Sequence, residues 1–116
     1  MKKPLAALAL MKKALATFAL ATMLTSPVLA ETVGVSMALF DDNFLTVLRN
    51  GMVKMAEDMP GVDVQVEDAQ NDVAKQLDQI NNFIASGVDA IIVNPVDTSA
   101  TQAMTNAAKN AGVPLV

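Results

Sequence analysis

Short runs of β-branched residues alternate with longer segments of helical periodicity from Glu31 onward. The runs predict strands at residues 32–39, 62–68 and 90–94, and a fourth strand that begins at Val113. The segments between them predict three helices, so the order of elements is β-α-β-α-β-α-β. The third run is almost continuously apolar, which is typical of a parallel strand buried on both faces. Right-handed crossovers then predict an α/β fold with a doubly wound parallel sheet.

The first predicted helix begins near Phe44 and ends at Pro60-Gly61. Apolar residues recur along it at intervals of three or four, and we expect this stripe to be buried on the sheet: Phe44, Val47, Leu48, Met52, Met55, Ala56 and Met59. Gly51 lies inside the stripe, although a glycine there costs up to about 1 kcal/mol relative to alanine. Close packing of the helix on the sheet is the predicted reason for this glycine.

The second and third predicted helices carry their own start and stop signals. The second begins after Asn71-Asp72 and ends at Ser86-Gly87, and its predicted buried residues are Val73, Leu77, Ile80 and Ile84. The third begins at residues 97–99 and ends at Ala111-Gly112. We expect its apolar face to lie close to the sheet because the residues are mostly small: Ala100, Ala103, Met104, Ala107 and Ala108.

The first 30 residues have the pattern of a secretory signal peptide. Lys12 and Lys13 precede an apolar segment at residues 14–24, and Val28-Leu29-Ala30 forms a small-residue cleavage site before Glu31. A membrane anchor is the weaker interpretation, because a span needs about 20 apolar residues. We therefore expect export with cleavage after Ala30. A near repeat of the first six residues leaves open whether Met1 or Met11 is the start.

Charge and composition exclude several kinds of function. Four basic and twelve acidic residues follow residue 30, which leaves a net charge of −8 and predicts no nucleic-acid partner. The chain has no His and no Cys, so His-dependent proton transfer, thiol catalysis and disulfides are excluded. We expect no metal site and no cofactor in this segment. The remaining enzyme hypothesis, hydrolysis by Asp41 and Asp42, is disfavoured because sequence neighbours rarely face one cleft as acid and base.

Ligands of doubly wound sheets bind outside the carboxyl ends of the strands, so the residues after each strand are the candidates. Three clusters qualify, at residues 40–44, 68–72 and 94–97. Each is rich in carboxylates and amides, and none has the glycine-rich pattern of a phosphate-binding loop. Carboxylates beside an aromatic face suit a polyhydroxylated ring.

These clusters resemble those of the periplasmic sugar-binding proteins of bacterial ABC importers. The sequences that carry the resemblance are Phe40-Asp41-Asp42-Asn43-Phe44, Asp68-Ala69-Gln70-Asn71-Asp72 and Asn94-Pro95-Val96-Asp97. The resemblance implies a periplasmic-binding-protein-like type I fold, of which residues 31–116 would form the N-terminal part of the first lobe. We therefore expect either a fragment or a truncated gene product.

The resemblance also implies a function without catalysis. A member of this family binds a monosaccharide or cyclitol in the periplasm and delivers it to an ABC permease in the inner membrane. In the galactose and ribose branches a chemoreceptor is a further partner. A sugar-sensing domain related to transcription regulators and a non-functional fragment are the alternatives. The motifs do not distinguish among the sugars and cyclitols.

Four residues receive ligand-binding roles from the resemblance. In the galactose/glucose pattern Asp42 accepts hydrogen bonds from hydroxyls, Phe44 stacks on the ring and Asn94 bonds another hydroxyl. In the ribose pattern Asp97 takes a carboxylate role. Each also has a purely structural alternative: Asp42 and Asp97 as helix caps, Phe44 as core, and Asn94 as a turn former.

Overall fold

The computed structural model of the chain describes residues 26–27 and 29–116. Most of the predicted signal peptide, residues 1–25 and Val28, lies outside the described residues, and cleavage after Ala30 stays a prediction. Over the part that is described, no helix has both the length and the apolar character needed to cross a membrane.

Strands and helices alternate along the described chain. Their bounds are β1 Glu31–Met37, α1 Asn43–Glu57, β2 Val62–Asp68, α2 Val73–Ser86, β3 Ala90–Val93 and α3 Thr101–Ala111. A short 3₁₀ turn, Thr98–Ala100, precedes α3. The three strands are parallel in the order β2-β1-β3. The doubly wound α/β fold predicted from the sequence is confirmed.

The predicted fourth strand is present as a single bridge beside β3. Leu115 pairs in parallel with Ile91, and the backbone N–H of Ile91 donates to the carbonyl oxygen of Pro114 over 2.9 Å. The end of the described chain therefore extends the sheet on the side of β3 that faces away from β1.

One face of the sheet is closed by α2 and α3. Its buried apolar residues are Ile80, Phe83, Val88, Ile91 and Met104. An ideal Cβ atom on Gly34 would lie 2.5 Å from Cγ of Phe83, so the close approach of helix to sheet occurs at Gly34. The predicted reason for Gly51 was wrong, because an ideal Cβ there meets nothing within 4 Å. Val73 and Ala103 are exposed, not buried as predicted, because the inward faces of α2 and α3 run through other residues.

The opposite face carries α1, whose predicted burial was wrong. None of its residues is buried, and Phe44, Val47 and Met55 are 72%, 71% and 65% exposed. The helix packs over β2 and leaves an apolar groove of about 230 Å³ beside it. Methionines of α1 line one side of the groove, and the other side is formed by Val33, Val35 and Ile92. No other described element lies over this half of the sheet, which is why the stripe is open.

Candidate functional site

The three predicted loops meet at the carboxyl edge of the sheet, and Ala38 is their junction. Its backbone N–H donates to Oδ1 of Asn94 over 3.2 Å, and its carbonyl oxygen accepts from the N–H of Asn71 over 2.7 Å. Neither bond is part of the hydrogen bonding between strands, which explains why β1 ends at Met37 and not at residue 39 as predicted. The loop after β1 is thus tied to the loops after β2 and β3.

The loop from β1 into α1 is held to the helix at three points. Oδ1 of Asp42 caps α1 by accepting from the N–H groups of Phe44 and Leu45 over 2.9 and 3.0 Å. The hydroxyl of Thr46 donates to the carbonyl oxygen of Phe40 over 2.7 Å, and the guanidinium carbon of Arg49 lies 4.2 Å from the centre of the Phe40 ring. Asp42 is therefore the helix cap, as its structural alternative predicted. Its Oδ2 makes no hydrogen bond to the described residues and remains an acceptor.

Phe44 lies in the first turn of α1 with 72% of its surface exposed. Its alternative role as a core residue is therefore wrong. The ring joins Val47, Leu48, Met52 and Met55 along a shallow apolar depression of about 390 Å³ on α1. The exposed ring is available to an apolar face of a ligand that approaches the carboxyl edge.

The loop from β2 into α2 is a tight turn with two left-handed residues, Gln70 and Asn71, at φ values of 54° and 56°. Oδ1 of Asp68 accepts from the N–H of Gln70 over 2.8 Å. Asp72 caps α2 by accepting from the N–H of Lys75 over 3.0 Å. This cluster therefore forms a turn and a helix cap.

The loop after β3 carries the other two candidate residues. Asn94 is half-buried, and its Oδ1 is engaged by the N–H of Ala38, while its amide NH₂ makes no hydrogen bond to the described residues. Oδ1 of Asp97 accepts from both the N–H and the hydroxyl of Ser99, each over 2.8 Å. The backbone bond from Ser99, with its hydroxyl, lowers the pKa of Asp97 below its ordinary value. Among the described residues, no hydrogen bond links any of the four candidate side chains to another.

A buried polar network lies beneath these loops, and the sequence reasoning missed it. Ser36 and Gln76 have no exposed surface, and Gln79 is 5% exposed. Gln76 and Gln79 share the inward face of α2 with Ile80 and Phe83. The sequence signal for this network was the position of two glutamines among the apolar residues of the buried helix face, because buried amides need specific hydrogen-bond partners.

The edge as a whole presents hydrogen-bonding groups suited to hydroxyls. Asp42 and Asp97 supply carboxylate oxygens, Asn94 supplies amide donors, and the exposed ring of Phe44 follows Asp42 by two residues. In the part of the chain that the structure describes, no group of three or more carboxylates could hold a metal ion.

This chain is similar in sequence to known proteins. The family model of the periplasmic binding protein domain matches residues 33–116. A Rhizobium meliloti protein named "Putative rhizopine-binding protein" is 58% identical over 106 residues, which are 91% of this chain and 34% of that protein. The ribose import binding protein of Bacillus subtilis is 38% identical over 73% of this chain and 28% of that protein.

A solved structure shows the same fold with a ligand. The solute binding protein of an ABC transporter from Bacillus halodurans, with bound myo-inositol, superposes with a TM-score of 0.72 at 40% identity. The match covers 78% of this chain and 31% of that chain. The chain therefore spans about a third of the length of these relatives.

Proposed function

This chain belongs to the periplasmic binding protein domain family, and on that premise we propose that it forms part of the binding component of a bacterial ABC importer. Its ligand is a monosaccharide or cyclitol, held in the periplasm for an inner-membrane permease. The observation that carries the proposal is the junction of three oxygen-rich loops at Ala38, the first of which leads through Asp42 to the exposed ring of Phe44.

The named ligands of the relatives support this ligand class. Rhizopine, ribose and myo-inositol appear in their names or bound state. Ribose and myo-inositol are rings with several hydroxyl groups, and a carboxylate accepts from hydroxyls more strongly than a neutral oxygen does. Asp42 keeps Oδ2 for such a bond while Oδ1 holds the helix cap.

The chain supplies one side of such a site. Ligand pockets usually bury about 70–90% of a small ligand, and one open edge of a three-stranded sheet cannot enclose a ring to that extent. Tight binding therefore needs further residues of a longer protein. The role we propose involves no catalysis, and the relatives are likewise named as binding proteins. A chemoreceptor is a further partner that the family resemblance implies.

A hybrid protein tests the proposal. Residues of this chain replace the matching 106-residue segment of the Rhizobium relative, and calorimetry measures affinity for myo-inositol, ribose, D-galactose and D-glucose. We expect micromolar or tighter binding of at least one of them. We further expect Asp42→Asn to weaken that binding about 10- to 100-fold, the effect of losing a charged acceptor worth about 1.5–3 kcal/mol.

The variants separate the ligand role of Asp42 from its capping role. Asparagine also caps helices well, so Asp42→Asn should leave the melting temperature unchanged. Glu57→Gln removes an exposed carboxylate at the far end of α1 and serves as the matched control. If the Asp42→Asn and Phe44→Ala variants both bind as tightly as the unsubstituted hybrid, the proposed site is wrong. If the hybrid binds none of the four ligands, the proposed function is wrong.

A further inference from the structure

We propose that Gln76 and Gln79 are positioning residues, which fix the three strand ends that carry the candidate ligand-binding loops. This inference rests on the proposed function, because it gives the buried network a role in ligand binding. The two side chains reach from one helix to β1, to β2 and to the loop after β3.

Gln76 holds the loop after β3 and links it to β1. Its Oε1 accepts from the N–H of Val96 over 2.8 Å, and its Nε2 donates to the carbonyl oxygen of Asn94 over 3.0 Å. The same Nε2 donates to the hydroxyl oxygen of Ser36 in β1 over 3.1 Å. The side-chain amide of Gln76 therefore forms hydrogen bonds with the loop on both sides of Pro95.

Gln79 makes the corresponding link to β2. Its Nε2 donates to the carbonyl oxygen of Asp68, the last residue of that strand, over 2.9 Å. Its Oε1 accepts from the hydroxyl of Ser36 over 2.7 Å. The hydroxyl of Ser36 thus joins the two glutamines, and the network connects the carboxyl ends of β1, β2 and β3 through α2.

A role limited to core packing does not explain these contacts. A buried amide is costly unless it is hydrogen-bonded, and an apolar side chain of similar size would fill the same space without that requirement. All contacts of the two amides go to strand ends, to the loop after β3, or to the serine between them. Throughout the described residues, no buried side-chain nitrogen or oxygen lacks a partner.

The helix that carries the glutamines is well fixed. Asp72 caps its first turn, and Gly87 ends it in a left-handed conformation at φ 79°. Movement of the loop after β3 would displace Asn94, which in turn bonds the N–H of Ala38 at the start of the loop that leads to Asp42. Loss of either glutamine should therefore alter loops that the glutamine does not touch directly.

Hydrogen exchange in the full chain tests this transmission. The reporters are the N–H groups of Ala38 and Gln70, which donate to Asn94 and Asp68 side chains and not to a glutamine. Exchange is followed by mass spectrometry at micromolar concentration and resolved to single amides. We expect at least tenfold faster exchange of Ala38 in Gln76→Met and of Gln70 in Gln79→Met.

Controls distinguish positioning from a general loss of stability. Ile80→Val weakens the same helix face without touching the network, and Gln102→Met removes an exposed amide on α3. The proposal is wrong if the N–H groups of Ala38 and Gln70 exchange no faster in the glutamine variants than in an Ile80→Val variant of the same melting temperature. Ser36→Ala keeps both glutamines, removes their link and should accelerate both reporters, which decides the question even if a methionine variant fails to fold.

Ligand affinity provides the second measurement. In the hybrid protein, Gln76→Met should weaken binding more than tenfold for whichever of myo-inositol, ribose, D-galactose and D-glucose the unsubstituted hybrid binds most tightly. An Ile80→Val variant of the same melting temperature should bind that compound within twofold of the unsubstituted hybrid. Equal affinities would overturn the role in binding. A hybrid without ligand affinity would instead count against the proposed function, and the exchange data would still decide whether the glutamines fix the strand ends.

Discussion

Gly34 and Gly51 show how differently one residue type can act within this fold. Gly34 lets Phe83 lie on the sheet, since a Cβ atom would approach three ring atoms to within 2.5–2.8 Å. Gly51 lies on an exposed part of α1 with free space around it.

The first prediction follows from this difference. We expect Gly34→Ala to lower the free energy of unfolding by about 1–3 kcal/mol, the usual cost of overpacking a core. Gly51→Ala should raise it by up to about 1 kcal/mol, because alanine is the better helix former. Urea denaturation measures both changes in the free energy of unfolding. Equal effects of the two substitutions would contradict the close contact between Gly34 and Phe83 and the free space around Gly51.

The lowered pKa of Asp97 predicts how the stability of the fold changes at low pH. Because hydrogen bonds from Ser99 lower the pKa of the folded state, they stabilise the fold above the ordinary aspartate pKa of about 3.9. That stabilisation disappears as the pH falls through the lowered pKa. Ser99→Ala removes the hydroxyl but keeps the backbone donor, so we expect the pKa to rise part of the way. An NMR titration of the Asp97 carboxyl that shows no rise would contradict this account.

Single residues of the site could be predicted only in part. The helix-capping alternatives for Asp42 and Asp97 followed from residue type, and the structure confirms the cap at Asp42. Asp97 caps the 3₁₀ turn and not α3, whose N-cap is Ala100 without a side-chain bond. The exposure of Phe44 could not be predicted, because its position in an apolar stripe indicates a burying face but not the partner that covers it. The network of Gln76 and Gln79 depends on long-range contacts that polarity alone does not specify.

Element ends were more predictable than element burial. The ends of α2 and α3 at Gly87 and Gly112 are confirmed, since both glycines adopt the left-handed conformation that terminates a helix. The bounds of β2 match the prediction residue for residue. The start of α3 differs, because Asp97 caps a 3₁₀ turn before the α-helix begins.

A cap substitution tests the stability of α2 as an element. We expect Asp72→Ala to lower the free energy of unfolding by about 0.5–2 kcal/mol, because the N–H of Lys75 loses its acceptor. Asp78→Ala, at an exposed position in the same helix, is the matched control and should have little effect. Thermal unfolding followed by circular dichroism compares the two variants. A loss as large for Asp78→Ala would show that charge, not capping, matters.

At the scale of the whole molecule, the two faces of the sheet differ sharply. Residues of α2, α3 and β3 close one face, whereas the apolar groove of about 230 Å³ beside α1 stays open. An apolar face of this kind promotes association in water.

We therefore expect the segment of residues 29–116, prepared on its own, to self-associate through α1. The double substitution Val47→Glu with Met55→Glu should shift it toward the monomer, because both side chains are largely exposed and apolar. Asn50→Glu with Lys54→Gln changes the net charge equally and should not. Sedimentation velocity over a range of concentrations measures the difference, and equal behaviour of the two double variants would exclude this face.

The two glutamines grip main-chain atoms at the ends of β2 and β3, namely the carbonyl oxygens of Asp68 and Asn94 and the N–H of Val96. Every amino acid provides a carbonyl, so the anchorage at residues 68 and 94 does not depend on which side chain stands there. Evolution, or a protein engineer building a biosensor, could exchange those side chains while the framework beneath them keeps its shape.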